Sequence, residues 1–135
     1  MATYNKFQPF VEAVCEKKHD FSGDVIKVAL CNAANAPAAG NGVLADLTVV
    51  SVANLDDVVV TISSSSQTAG TYKAVATDKT MTASGSVGPF RYVVLYNDTA
   101  TNDDLICWFD YGSEISLASG ETFTLDFGTE LFSLV

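Results

Sequence analysis

Very few side chains of this 135-residue chain have the types and spacing that catalysis requires. The single histidine, His19, directly precedes Asp20, and a carboxylate beside an imidazole can position a general base. His19 also stands at the end of a predicted helix, where the helix dipole favours a cation. Because no nucleophile or phosphate-binding motif accompanies the pair, we interpret His19 as a helix-end or surface residue and predict that the protein is not an enzyme.

Two pairs of adjacent acids could bind a metal ion. Asp56 and Asp57 begin a predicted strand, where neighbouring side chains point to opposite faces and cannot serve one site. Asp103 and Asp104 end the acidic loop 98–104, which could offer some of the six to eight oxygens that Ca²⁺ takes. The sequence supplies no reliable further ligands. We therefore interpret both pairs as solvated turn acids and predict no metal and no cofactor.

The three cysteines, Cys15, Cys31 and Cys107, are widely separated, and no CxxC or CxxH spacing indicates a zinc site. Cysteine is among the most frequently buried residue types. We expect three reduced thiols in the core.

Four aromatic residues, Trp108, Tyr92, Tyr96 and Tyr111, could form a platform for a sugar ring. Aromatic residues at alternating strand positions more often fill the core of a sandwich or anchor an interface. The core interpretation is favoured, and a carbohydrate role stays open as an alternative.

The composition is that of a folded domain, with 48% hydrophobic and 17% charged residues. The length predicts a single domain over residues 1–135. No apolar run reaches the roughly 20 residues of a membrane span, and residues 1–10 lack the layout of a signal peptide. We expect synthesis in the cytosol and no membrane partner.

The net charge of −9 is unevenly distributed along the chain. Residues 1–31 carry four lysines against four acids, whereas residues 32–135 carry Lys73, Lys79 and Arg91 against twelve acids. Because an acidic surface repels phosphate, we predict no nucleic-acid partner.

The hydrophobic spacing predicts one helix followed by many short strands. Within residues 4–20, apolar residues from Phe7 to Val14 recur at helical spacing and Pro9 suits a first turn, which predicts a helix over residues 7–18. The period then changes to two, and turn residues separate nine or ten strands. The predicted strands are 25–31, 45–52, 56–63, 71–78, 79–84, 90–97, 105–111, 113–118, 121–127 and the C-terminal residues, with polar loops at 32–43 and 63–70.

Two of these strands, 90–97 and 105–111, are apolar on both faces, whereas 121–127 alternates between apolar and polar residues. A strand that is apolar on both faces needs cover on both. The N-terminal helix could supply the second cover, and so could a partner subunit.

Several segments of the chain resemble a family of small virion proteins from tailed bacteriophages. They are YNKFQPFVEAV (4–14), DVIKVALCN (24–32), SQTAGTYKAV (66–75) and GPFRYVVLYNDTATNDDLICWFDYGS (88–113), of which the last is the most specific. Together they cover about half of the chain.

The members of this family with an associated role are capsid cement, or decoration, proteins. The resemblance implies a jelly-roll-like antiparallel β-sandwich that sits on the outer capsid surface of the virion and ties neighbouring major capsid proteins together. It implies no cofactor and no catalytic residues. We also expect self-association as a dimer or other small oligomer. The alternative is a tail or fibre β-sandwich module that binds host-surface glycan.

Protein interfaces concentrate their binding energy in a few aromatic or arginine residues. Our candidates for partner contacts are Tyr4, Phe7 and Phe10 near the N-terminus, and Arg91 beside the sandwich. Each of them could equally be a contact within the fold.

Overall fold

The computed structural model, which describes residues 2–135, is a β-sandwich of ten strands with one α-helix near the N-terminus. Its elements, in chain order, are β1 (Thr3–Lys6), α1 (Pro9–Cys15), β2 (Ile26–Cys31), β3 (Val59–Val60), β4 (Ile62–Thr68), β5 (Thr71–Ala76), β6 (Lys79–Thr82), β7 (Val87–Asn97), β8 (Leu105–Leu117), β9 (Thr122–Leu125) and β10 (Phe132–Leu134). Two short 3-10 turns lie at Ala33–Asn35 and Leu44–Asp46. The predicted class, a mainly antiparallel β-sandwich with one N-terminal helix, is confirmed.

The strands form a main sheet, a smaller sheet and a ribbon, and every pairing is antiparallel. The main sheet has the order β1-β8-β7-β2-β3. The smaller sheet has the order β10-β5-β4, and β6 pairs with β9 in the ribbon. The two long strands β7 and β8 therefore occupy the middle of the main sheet.

The N-terminal helix is shorter than the sequence predicts, and a strand precedes it. Residues 3–6 pair with β8 instead of joining the helix. Pro9 occupies the first turn, as predicted. The helix ends at Cys15 because Lys17 takes a left-handed conformation (φ 64°), and the N–H of Lys18 donates to the carbonyl of Ala13. Glycine usually holds that position, so this helix end carries no sequence signal.

Residues 43–70 differ most from the prediction. The predicted strand 45–52 is a 3-10 turn and an irregular segment, in which only Val50 forms a bridge, to Leu30. The predicted flexible loop 63–70 is instead most of β4 and the tight turn into β5, where Ala69 and Gly70 both have positive φ. Pairing with β5 holds this serine run extended, because serine has little strand preference of its own.

The central strands are covered on both faces, as predicted, and the chain itself provides the cover. Leu105–Phe109 of β8 are all buried. On one face the rings of Trp108 and Phe7 lie 4.5 Å apart between centroids, and on the other Phe109 lies 5.9 Å from Phe127. Burial of β8 therefore does not require a partner subunit.

Two of the three cysteines are in the core. Cys31 and Cys107 are buried free thiols, but Cys15 is exposed at the last helical position. The expectation of three core thiols is therefore wrong for Cys15, because α1 buries only Phe10 and Ala13.

Candidate interaction surface

His19 and Asp20, the pair considered for catalysis, make contacts with aromatic rings and with Ser22. The ring of His19 packs against Phe10 and Phe21, with centroid distances of 5.2 and 5.6 Å. The carboxylate of Asp20 accepts hydrogen bonds from Ser22. Within residues 2–135, no group of three or more His, Cys, Asp or Glu side chains is arranged to hold a metal ion.

The acidic loop 98–104 is anchored by Asn97, a buried residue that the sequence analysis did not single out. Its Nδ2 lies 2.6 Å from Oδ2 of Asp24 and 3.1 Å from Nδ1 of His19. Its Oδ1 accepts the N–H groups of Thr99 and Ala100. One amide thus joins the loop to residues 18–24. In the sequence, only the position of Asn97 at the end of a predicted strand pointed to this anchoring role.

Asp104 departs from the predicted solvated turn acid, because it is only 7% exposed. Nζ of Lys18 lies 4.0 Å from the Asp104 carboxylate. The backbone carbonyl of Asp104 accepts the N–H of Asn97. The loop is therefore packed against the N-terminal segment.

The aromatic residues considered for sugar binding do not form an exposed platform. Trp108 and Tyr92 are each 9% exposed and belong to the core. The ring of Tyr111 is half-buried against Phe123, at a centroid distance of 5.0 Å. This arrangement agrees with the core interpretation of these rings.

Two of the four candidate partner residues lie in the core. Phe7 is fully buried, and Phe10 is 3% exposed with its ring packed on Phe21 and Phe132. Burial assigns both side chains to the fold, and neither can reach a partner in this conformation.

Arg91 makes a contact within the main sheet. Its guanidinium donates to both carboxylate oxygens of Asp110, at 2.8 and 3.1 Å. Its Cζ lies 5.2 Å from the ring centre of Tyr92. The Arg91 bonds, with a further one from the N–H of Gly112, lower the pKa of Asp110. These contacts use the Nε and Nη2 donors of the guanidinium and place one of its faces over the Tyr92 ring.

Tyr4 is the one aromatic candidate at the surface. It is 39% exposed and lies on β1, at the edge of the main sheet. Its ring packs edge-on against Phe109, directly across the strand pair, at 5.6 Å between centroids. Burial of its hydroxyl end, beside the thiol of Cys107, raises the pKa of the phenol far above its usual value. These contacts on its buried side therefore hold the Tyr4 ring in one orientation.

Tyr4 forms part of a groove of about 490 Å³ between the edges of the two larger sheets. One wall is β1, with Ala2, Tyr4 and Lys6, and the other is residues 126–133, which include most of β10. The lining is mainly apolar, from Phe109, Phe127, Leu131 and Phe132, with Asp126 and Glu130 as the acids. We call this feature the Tyr4 groove.

Comparison with known proteins returned no match to a protein-family model, a curated protein or a solved structure. In the part of the chain that the structure describes, no helix is long and apolar enough to cross a membrane.

Proposed function

We propose that this protein is a structural virion protein of a tailed bacteriophage: a capsid cement, or decoration, protein that binds the outside of the icosahedral shell and stabilises contacts between major capsid proteins. The observation that carries the proposal is the Tyr4 groove, a mainly apolar groove at the edge of the sandwich. Its β1 wall lies mostly in segment 4–14, which resembles the virion family.

Tyr4 has the properties of an interface anchor. It is 39% exposed beside an apolar groove, and tyrosine is enriched in the buried centres of protein interfaces. Phe109 supports the ring from within the sheet, so little conformational freedom remains to be lost when a partner binds. A shell protein would therefore meet a preformed contact.

The distribution of charge supports an orientation on the shell. Residues 1–31, which include β1, are neutral overall, while residues 32–135 carry the net negative charge. We place the β1 end against the shell and the acidic body towards solvent. Cryo-electron microscopy of decorated particles would contradict this orientation if β1 pointed away from the shell.

The mechanism is mechanical. Each copy contacts two or more shell subunits, so expansion or opening of the shell must also break the cement contacts. Particles that lack the protein should release DNA at a lower temperature than decorated particles, and adding purified protein should restore the difference.

The direct test is co-sedimentation with DNA-filled heads that lack tails. We expect the wild-type protein to co-sediment and Tyr4→Ala to weaken binding about tenfold or more, which corresponds to about 1.4 kcal/mol. Val49→Ala removes another exposed apolar side chain, outside the groove, and should bind normally. Arg91→Lys should also bind normally, because Arg91 is used within the fold.

Failure of the wild-type protein to bind heads would contradict the proposal. A specific signal on a glycan array would then support the tail or fibre alternative.

A further inference from the structure

We propose that the outer edge of β4 pairs antiparallel with β4 of a second copy of this chain, which joins two small sheets into one across a two-fold axis. This goes beyond the proposed function, since it concerns contact between copies and not contact with the shell.

Along its outer edge, β4 has backbone N–H and C=O groups that have no hydrogen-bond partner among residues 2–135. The turn at Ala69-Gly70 makes Thr68 and Thr71 a directly opposed pair, so Thr68, Ser66 and Ser64 bond to β5. The N–H and C=O groups of Ser65 and Gln67 must therefore point away from β5. Among residues 2–135, no backbone or side-chain group bonds to them. Four hydrogen-bonding groups thus stand free along an extended edge.

Apart from a bulge at its start, β4 lacks the features that usually protect an edge strand. Short length, charged side chains and proline are the common protections. The other edge strands of the two larger sheets, β1, β3 and β10, have four, two and three residues, and β1 carries Lys6. β4 has seven residues, none of them charged or proline, and most of them are exposed. The bulge at its start leaves Ser64–Thr68 in regular register.

The distribution of charge favours a second copy of this chain as the occupant. Two molecules of net charge −9 repel each other over most of their surfaces. The chain carries no charged residue between Asp57 and Lys73, so β4 brings no carboxylate of its own to the contact. The charged groups near it are Asp20, which lines a pocket with Ser65, and Lys73, which lies opposite Ser66 on β5. A cationic partner would be attracted to the acidic surfaces instead of this neutral edge.

The pairing also satisfies a two-fold axis. With the axis beside Ser66, Ser65 of one copy lies opposite Gln67 of the other, and the reciprocal pair completes four hydrogen bonds. The product is a six-stranded sheet with β10 at both ends. Because β10 borders the Tyr4 groove, each copy keeps its groove accessible, and the dimer carries two.

The experiment measures the mass of the full chain by light scattering and sedimentation velocity up to about 100 µM. We expect the wild-type protein to approach twice its chain mass of 14.3 kDa. Of the backbone groups, Ser65→Pro removes only an outward N–H, and it should raise the dimer dissociation constant about tenfold or more. It also removes the Ser65 hydroxyl, which lies 2.8 Å from the Tyr72 hydroxyl within the chain. A thermal unfolding scan confirms that this variant folds.

A charge pair at the axis provides a stricter test. S66K and S66E each place like charges directly across the interface and should be monomeric alone, while a mixture of the two should form a heterodimer. Ser116→Lys adds the same charge to an exposed position on β8 and should leave the dimer intact.

Three results would overturn the pairing: a wild-type protein that is monomeric throughout, a trimer, or a dimer that S66K and Ser65→Pro both leave unchanged. None of them decides whether the protein binds heads, which the Tyr4→Ala experiment tests separately.

Discussion

Nδ2 of Asn97 lies 3.1 Å from Nδ1 of His19, so a buried amide nitrogen faces the imidazole. The orientation of the Asn97 amide is set by its Oδ1, which accepts two backbone N–H groups. An amide nitrogen only donates, so Nδ1 of His19 faces a donor, and the two hydrogens of Nδ2 are shared among Nδ1, Oδ2 of Asp24 and the carbonyl of Lys18. When Nδ1 accepts, the neutral ring carries its proton on Nε2, which is buried without a hydrogen-bond partner among residues 2–135. A positively charged His19 would place two donors against each other.

The first prediction is that stability decreases as the solution becomes mildly acidic. Burial lowers the pKa of His19, Lys18 adds to that shift, and Asp104 and Asp24 oppose it. The pKa of His19 in the folded chain lies below its ordinary value of 6.5. The contribution of neutral His19 to the free energy of unfolding is therefore complete above about pH 6.5, and it is lost as the pH falls from there through the lowered pKa.

Urea unfolding between about pH 7.5 and 5 measures this loss of stability. His19→Phe keeps a ring between Phe10 and Phe21 and should flatten the dependence of the free energy of unfolding on pH. The carboxylates with lowered pKa, such as Asp57 and Asp110, lose their contributions only at more acidic pH. If the free energy of unfolding changed equally with pH in the wild-type protein and in His19→Phe, His19 would be excluded as the cause.

The second prediction concerns the amide that anchors loop 98–104. Asn97→Ala leaves the N–H groups of Thr99 and Ala100 without their acceptor and removes a donor to Asp24, so we expect a loss of about 1–3 kcal/mol in the free energy of unfolding. Hydrogen exchange at Thr99 and Ala100 should accelerate. Asn102→Ala, at an exposed site in the same loop, should change stability by less than about 0.5 kcal/mol. Comparable losses in the two variants would contradict the anchoring role.

The third prediction compares two neighbours on α1. Phe10→Ala should cost about 3–5 kcal/mol because it empties a site packed by Phe21 and Phe132. Val11 is 48% exposed, and Val11→Ala should change stability by less than about 0.5 kcal/mol. Chemical denaturation of the two variants decides whether the helix packs through the face described. A large effect at Val11 would mean that the helix is rotated.

The fourth prediction concerns thiol reactivity. One thiol per native chain should react rapidly with a maleimide, and all three should react in denaturant. Cys15 is exposed, whereas burial raises the pKa of Cys31 to about 11 and raises that of Cys107 well above its usual value, so little thiolate is present at either. Cys15→Ser should abolish the rapid phase. A rapid phase that survived in this variant would show that a core thiol is accessible.

Where the sequence predicted strands correctly, the signal was local. Strands β2, β5 and β7 follow from apolar alternation and bounding turn residues. The serine run of β4 has no such pattern, and it is a strand only because β5 lies beside it. The end of α1 was missed because Lys17 occupies a position where glycine is the usual signal.

The candidate site was predictable only in part. Tyr4 could be selected from the sequence as an aromatic residue near the N-terminus. The opposite wall of its groove comes from residues 126–133, and no local pattern brings two segments so far apart in the chain together.

The sequence by itself determined the class of protein, a mainly β domain with an N-terminal helix and an acidic body, because periodicity and charge are properties of neighbouring residues. Only the tertiary structure decided which aromatic residues are exposed and which strands form edges. Tyr4 reaches the surface while Phe7 and Phe10 do not, although all three belong to one short segment. The reason is physical: exposure and edge position depend on which distant segments pack together.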